Sequence, residues 1–183
     1  MVYRQLGIVS GLVVSGIVLI GSDRASAQSS NIVPDNTLGS ESSRIVPRDA
    51  AGLPVDRIDG GAIRGANLFH SFEDFNVSQG RGAYFTNPNG IQNILSRVTG
   101  KNPSDIQGTL GVLGNANLFL INPNGIVFGK EASLDVGGSF VATTANAIEL
   151  GSTGMFSASA PQTSNLLSVA PSALLFNAIA LEV

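Results

Sequence analysis

From Asn67 onward, short apolar runs alternate with polar, glycine-rich separators. The runs are Leu68–Phe72, Ala83–Phe85, Ile94–Val98, Leu118–Ile121, Ile126–Phe128, Leu134–Val136, Phe140–Thr144 and Ala147–Leu150. Each has a strand's length and none a helix's. Separators such as Gly80-Arg81-Gly82, Asn87-Pro88-Asn89-Gly90, Gly114-Asn115, Asn122-Pro123-Asn124-Gly125 and Gly137-Gly138 supply turn chemistry where helical periodicity would have to continue. One exception is Ser104-Asp105-Ile106-Gln107, which predicts a single helical turn capped by Ser104 and stopped at Gly108. Leu118-Phe119-Leu120-Ile121 lacks the in-out alternation of a sheet with one wet face, as a strand covered on both faces would. Between Gln28 and about Gly61 the apolar islands are shorter (Ile32-Val33, Ile45-Val46) and punctuated by proline, predicting short strands or an extended cap.

Two strings recur. Ala66-Asn67-Leu68-Phe69 returns as Ala116-Asn117-Leu118-Phe119, an offset of 50, and Asn87-Pro88-Asn89-Gly90-Ile91 returns as Asn122-Pro123-Asn124-Gly125-Ile126, an offset of 35. The offsets disagree, so no strict solenoid period runs through the chain. Irregular coils of strand, turn and strand fit; a sandwich or an up-and-down barrel is the alternative for many short strands. Asn-Pro-Asn-Gly suits a type I turn, with asparagine at the first position, proline presetting φ and glycine at the fourth. Its first reading is therefore a turn between two strands.

The first residues change where the chain is expected to act. Arg4, the uncharged run Leu6–Ile20 and Ala25-Ser26-Ala27 form a secretory signal pattern with cleavage after Ala27. The run is shorter than the ~20 apolar residues of a membrane-spanning helix and is interrupted by glycine and serine. This divides the chain into a signal peptide, 1–27, and one domain, 28–183. Charged residues make up 13% of the chain, about half the usual ~25%, while glycine is high at 22, which favours strands and tight turns over amphipathic helices. The formal charge of −3, with no basic stripe, argues against nucleic acid as a partner. Cysteine is absent, so packing and hydrogen bonds must supply the stability even in a compartment that permits disulfides.

The string Asn67-Leu68-Phe69-His70-Ser71-Phe72-Glu73-Asp74-Phe75-Asn76-Val77, then Ile94-Leu95-Ser96-Arg97-Val98-Thr99-Gly100, Ile106-Gln107-Gly108-Thr109-Leu110 and Asn117–Ile126, resembles the haemagglutination-activity, or two-partner secretion, domain of the filamentous haemagglutinin family. The resemblance is strongest over 58–144. It implies an all-β, right-handed parallel β-helix with an N-terminal cap, secreted or held at the cell surface after passing the periplasm and outer membrane. Implied partners are the general secretion machinery, signal peptidase and an outer-membrane β-barrel transporter whose periplasmic receptor domains take up the unfolded chain. The full-length relative would act as an adhesin on a surface glycan or protein receptor.

By the same resemblance, Asn122, Pro123, Asn124, Gly125 and Ile126 match the family's turn motif outright. Asn87, Pro88, Asn89, Gly90 and Ile91 stand near where many members have a second motif, Asn-Pro-Asn-Leu, from which Gly90 departs. His70 to Val77 matches a His-x-x-Phe-x-x-Phe-Asn-Val element, implying that Phe72 and Phe75 pack and that Asn76 bonds backbone. Members continue for hundreds of residues, so a chain stopping at Val183 is expected to be a truncated reading frame or a minimal exported module.

Parallel β-helices also carry polysaccharide-acting enzymes, which need clustered acids or a base with a metal. The histidine His70 and the adjacent acids Glu73-Asp74 offer little: the expectation is a half-buried strand histidine and a solvated acidic turn. No enzyme activity, cofactor or metal is expected. A free-standing solenoid adhesin is a further alternative.

Overall fold

A computed structural model of the chain describes residues 29–50 and 53–176; the expected signal segment lies outside the described residues. Among the described residues there is no α-helix, only strands and two short 3-10 turns. Strands β1 (Asn31–Pro34) and β2 (Ser43–Ala50) precede a first coil made of β3 (Leu53–Gly60), the short β4 (Ala62–Arg64) and β5 (Asn67–Asn76). The second coil is β6 (Gly82–Thr86), β7 (Asn93–Val98) and β8 (Ser104–Ile106); the third is β9 (Thr109–Leu113), β10 (Asn117–Ile121) and β11 (Ile126–Phe128). A fourth begins with β12 (Ser133–Asp135) and β13 (Phe140–Thr143), after which β14 (Ala147–Leu150), β15 (Gly154–Ser157) and β16 (Pro171–Leu175) leave the coil.

Stacked coils give three parallel ladders. One face is β3-β6-β9-β12, the second β5-β7-β10-β13, and the third β8-β11, extended by a parallel bridge from Val77 to Ile106. The chain is thus a parallel β-solenoid, not a sandwich or an up-and-down barrel. Antiparallel strands close its first end, with β2 lying on β3, and β1 and β4 on β5.

Strand alternation builds the core. In β5, Leu68, His70 and Phe72 point inward; in β7, Ile94, Ser96 and Val98 do, with Leu68, Ile94, Leu118 and Phe140 in one register across four coils. Phe72, Phe75 and Phe85 form a ring cluster with centroid separations of 5.1 to 6.3 Å, within the range of favourable aromatic contacts. The outward residues of the same strands, Phe69, Leu95 and Ile121, would ordinarily meet water. They are instead fully buried, because the antiparallel sheet β15-β14-β16 lies over them with Ile148, Leu150 and Phe156. This second layer is the reason that Leu118–Ile121 carries no polar alternation.

The helical turn expected at Ser104–Gln107 is absent; these residues begin as β8. Capping chemistry loses to stacking. Ile106 is fully buried, the Asp105 N–H donates to Asn76 Oδ1 at 2.8 Å, and the ladder to β11 runs above. The repeat offsets also resolve. Asn67, Asn93 and Asn117 occupy one register, so two coils of 26 and 24 residues make up the offset of 50. The offset of 35 fits no whole number of coils, because the two Asn-Pro-Asn-Gly strings stand at different corners. Asn87–Ile91 joins β6 to β7, whereas Asn122–Ile126 joins β10 to β11.

Candidate functional site

The corner Asn122–Ile126 is bolted to the coil beneath it. A turn closes where the Gly125 N–H donates to the Asn122 carbonyl at 3.1 Å, and the Asn124 N–H donates to Asn122 Oδ1 at 3.0 Å. Gly125 holds φ at +120°, which a side chain would strain. Asn122 Nδ2 donates to the Asn102 carbonyl and to Ser104 Oγ, each at 3.0 Å, and Asn124 Nδ2 donates to the Gly100 carbonyl at 2.8 Å. Asn122 is completely buried and every polar atom of its amide is used. Its residue type follows from this: only a short side chain with both donor and acceptor can satisfy two levels of corner at once.

The same four residue types make a different turn at Asn87–Ile91. The closing bond runs from the Ile91 N–H to the Pro88 carbonyl at 3.1 Å, one residue later, which places Gly90 third in the turn at φ +85°, as a type II turn requires. Asn89 and Gly90 are exposed and Ile91 is buried in the core. With its Nδ2 facing the Ile91 carbonyl, the Asn87 amide also accepts from the Asn115 and Ala116 N–H groups, each contact at 3.2 Å. The two strings are therefore not equivalent in place or in geometry.

The segment His70–Val77 sits at the heart of the first coil. Phe72, Phe75 and Val77 are buried, and the Val77 backbone bonds to Asp105, Gln107 and Gly108 of the next coil. His70 is fully buried, where a half-buried residue was expected. Its Nδ1 lies 2.9 Å from Ser43 Oγ, while its Nε2 and the Oγ of Ser96, its register neighbour, have no hydrogen-bond partner. Burial pushes its pKa down to about 3, with the charge of Asp59 opposing the shift. A neutral imidazole sealed inside the coil meets no substrate. Glu73 and Asp74 belong to β5, not to a turn; Glu73 is exposed and Asp74 accepts from Asn102 at 2.9 Å.

Two features went unread in the sequence. Asn67, Asn93 and Asn117 form an amide ladder at one corner: Asn117 donates to Asn93 and Asn93 to Asn67, each at 3.0 Å, and Asn67 donates to the carbonyls of Leu167 and Val169. The available signal was an asparagine directly before the apolar runs that start at Leu68, Ile94 and Leu118. Second, Arg97 projects outward from β7 yet is fully buried. It donates to Ser71 Oγ, Thr37 Oγ1, Ser164 Oγ and the Ser157 carbonyl, at 2.6 to 2.8 Å, and its guanidinium carbon stands 4.5 Å from the Phe156 ring centroid. Burial lowers its pKa to about 10, which still leaves it charged at neutral pH; the charge of Asp35 opposes the shift. Burial would raise the Asp35 carboxyl, but hydrogen bonds from Thr99, Thr37 and Ser71 outweigh it and hold the group below its usual range.

The arrangement is one of corners and ladders. Among the described residues no cluster of histidine, cysteine or acidic side chains could hold a metal ion. Two heme/hemopexin-binding proteins of Haemophilus influenzae, one of them from strain Rd, are each 36% identical to the chain, over 75 and 73 residues. Those segments are 41% and 40% of this chain and 8% of either relative, so the matched part is a small fraction of those proteins. Residues 30–180 match the TPS secretion domain, a match across most of the solenoid, its cap and its covering sheet, and the chain accordingly belongs to the TPS (two-partner secretion) family of secretion domains.

Proposed function

We propose that this domain is the export address and folding seed of a filamentous haemagglutinin-like exoprotein, read by an outer-membrane β-barrel transporter while unfolded and non-enzymatic in itself. The observation that carries the reading is the complete burial of Asn122. A side chain with no exposure and no spare hydrogen-bonding atom offers nothing to a partner once the corner has closed. Recognition of Asn122–Ile126, and of the more open Asn87–Ile91, therefore precedes folding, most simply by an extended segment adding to a sheet edge in the transporter's periplasmic domains. Folding outside then conceals the motif, which disfavours return through the pore. The first coil, already capped by β1 and β2, gives the next coil a ready ladder, as stacking in solenoids demands.

The relatives' heme/hemopexin binding supports a surface-exposed, ligand-capturing role for a longer protein headed by such a domain, in which adhesion to a glycan or protein would be the work of later coils. Export separates address from fold. In cells carrying the partner transporter, Asn122→Ala should leave precursor in the periplasm, whereas Asn93→Ala, which weakens the ladder without touching the motif, should be secreted at near-normal yield. Equal secretion of both variants would reduce the corner to a structural turn and overturn the reading.

A further inference from the structure

On the outer side of the β3-β6-β9-β12 face, Tyr84 lies over a strip of backbone that glycine leaves clear. Gly82 stands two residues before it and Gly111 directly across in β9. A Cβ at Gly111 would come within 2.3 Å of the Tyr84 ring, and one at Gly82 within 2.8 Å, so the ring rests flat on the sheet. Its hydroxyl donates to Asp135 Oδ2 at 3.0 Å, two coils further on, which fixes the plane. Val55, Leu113, Arg48, Arg57 and Asp135 surround the ring in an open depression of about 380 Å³. Leu113 is half exposed, and the ring keeps part of its surface open.

Aromatic residues on glycine-rich strands often fill a gap, and Tyr84 does so on one ring face. That role accounts neither for the half-exposed Leu113 beside the open ring surface nor for the charged groups at its rim. We propose that this shelf binds a single uncharged pyranose ring, with the sugar's C–H face on Tyr84 and its hydroxyls on Arg57 and Asp135. The size suits one ring, at the small end of the ~300–1,000 Å³ of ligand pockets. A planar π-face attracts polarised C–H groups, while at opposite rims Arg57, whose Nε and Nη2 bond Asp59, keeps Nη1 as a donor, and Asp135, whose Oδ2 accepts from Tyr84, keeps Oδ1 as an acceptor. A wholly apolar ligand would strip water from Arg57 and Asp135 without replacing their hydrogen bonds. An ionic sugar finds no net charge to select it, because Arg48 and Arg57 are balanced by Asp59, which pairs with Arg57 at 2.6 Å, and Asp135. The biological sense of the site rests on the cell-surface placement proposed above; the binding itself does not.

Saturation-transfer NMR on the purified protein with methyl β-D-glucopyranoside, methyl β-D-galactopyranoside and methyl α-D-mannopyranoside tests the site. At least one should bind at a Kd of roughly 1–10 mM, as a single small contact allows. Tyrosine fluorescence, free of tryptophan because the chain has none, should shift with the same midpoint. Tyr84→Phe should keep affinity within about threefold, while Tyr84→Ala and Gly111→Ala, the latter lifting the ring, should each weaken it by about tenfold or more. Should those two variants fail to fold, the exposed Asp135→Asn serves, with a loss of about threefold or more. No saturation transfer from any of the three sugars at about 50 mM, or undiminished transfer in every folded variant of Tyr84, Gly111 and Asp135, overturns the proposal. Because export plays no part in the measurement, normal secretion with no sugar binding would sink this inference alone, and blocked secretion with intact binding would leave it standing.

Discussion

At the residue scale, the solenoid is regulated by side chains that bond to the coil next door. The amide ladder shows why asparagine recurs as the first residue of β5, β7 and β10. Asn117 and Asn93 each donate to the asparagine one coil nearer the cap, Asn67 donates instead to the Leu167 and Val169 carbonyls of the covering segment, and the series ends where Asn117 Oδ1 accepts the Ser139 N–H at 2.9 Å. Asn67 is fully buried and Asn93 nearly so, so a missing member leaves an unsatisfied polar atom away from water. Asn93→Ala removes both of its ladder bonds and strands Asn67 Oδ1. Urea denaturation of the folded domain should show a loss of about 1–3 kcal/mol with an unchanged m-value. Asn93→Asp should cost at least as much, since a carboxylate cannot donate to Asn67 and brings a charge into the core. A loss below about 0.5 kcal/mol in both would mean that the ladder merely follows the backbone pairing.

At the element scale, the covering sheet β15-β14-β16 and its connecting segment are held to the solenoid by apolar contact, by the Asn67 amide on the Leu167 and Val169 carbonyls, and by the Arg97 guanidinium. Arg97 reaches from β7 to the cap loop at Thr37 and to the covering layer at Ser157 and Ser164. Lysine cannot reproduce that fork. Both Arg97→Met and Arg97→Lys should loosen the covering sheet by about 2–4 kcal/mol. Hydrogen exchange should then rise in β15 and around Ser164 while the β7-β10 ladder stays protected; uniform loss across the domain would contradict a local latch. Strand positions from β5 to β14 other than β8 and β9 were legible in the sequence because their apolar runs are short and set off by turn residues; β9 was not, because Gly111 interrupts its apolar residues and reads as a separator although it stands mid-strand. β8 was not, since Ser104-Asp105-Ile106 has helix-capping chemistry and its strand character comes from long-range stacking under β11. The covering layer left only an indirect trace, the missing alternation at Leu118–Ile121, and the burial of Arg97 left none, because local sequence carries no record of what folds back over it. The turn motif was legible as a turn, but its burial depends on Asn102 and Ser104, twenty and eighteen residues away.

At the scale of the whole molecule, the domain is closed at one end and open at the other. Antiparallel β1 and β2 end the ladders beside the first coil, while among the described residues Phe128 and Leu134 of the last strands, in register with the buried Ile106 and Leu110, are exposed at the far end. Near the cap, His70 packs against Phe72 and Phe85 and faces Ser43. This places a titrating group inside the part on which every later coil rests. Its pKa is 6.5 when the chain is unfolded and about 3 when folded, so the unfolded chain binds the extra proton as pH falls. Stability contributed by keeping His70 neutral is fully present above 6.5 and drains by about 1.4 kcal/mol per pH unit below it, levelling near pH 3. Asp35, held low by its hydroxyl partners, and Glu41, held low by Arg64, contribute stability lost only below their ordinary values of 3.8 and 4.5. The interval from 6.5 to 4.5 therefore reports on His70 apart from those two acids, and across it the unfolding free energy should fall by about 2 kcal/mol, because the slope is only half developed at 6.5 itself. His70→Leu removes the titration while Ser43 Oγ keeps its bond from the Ser71 N–H, and should flatten the profile over that interval whatever its stability at neutral pH. An equally steep decline in His70→Leu would move the acid sensitivity away from the core of the first coil.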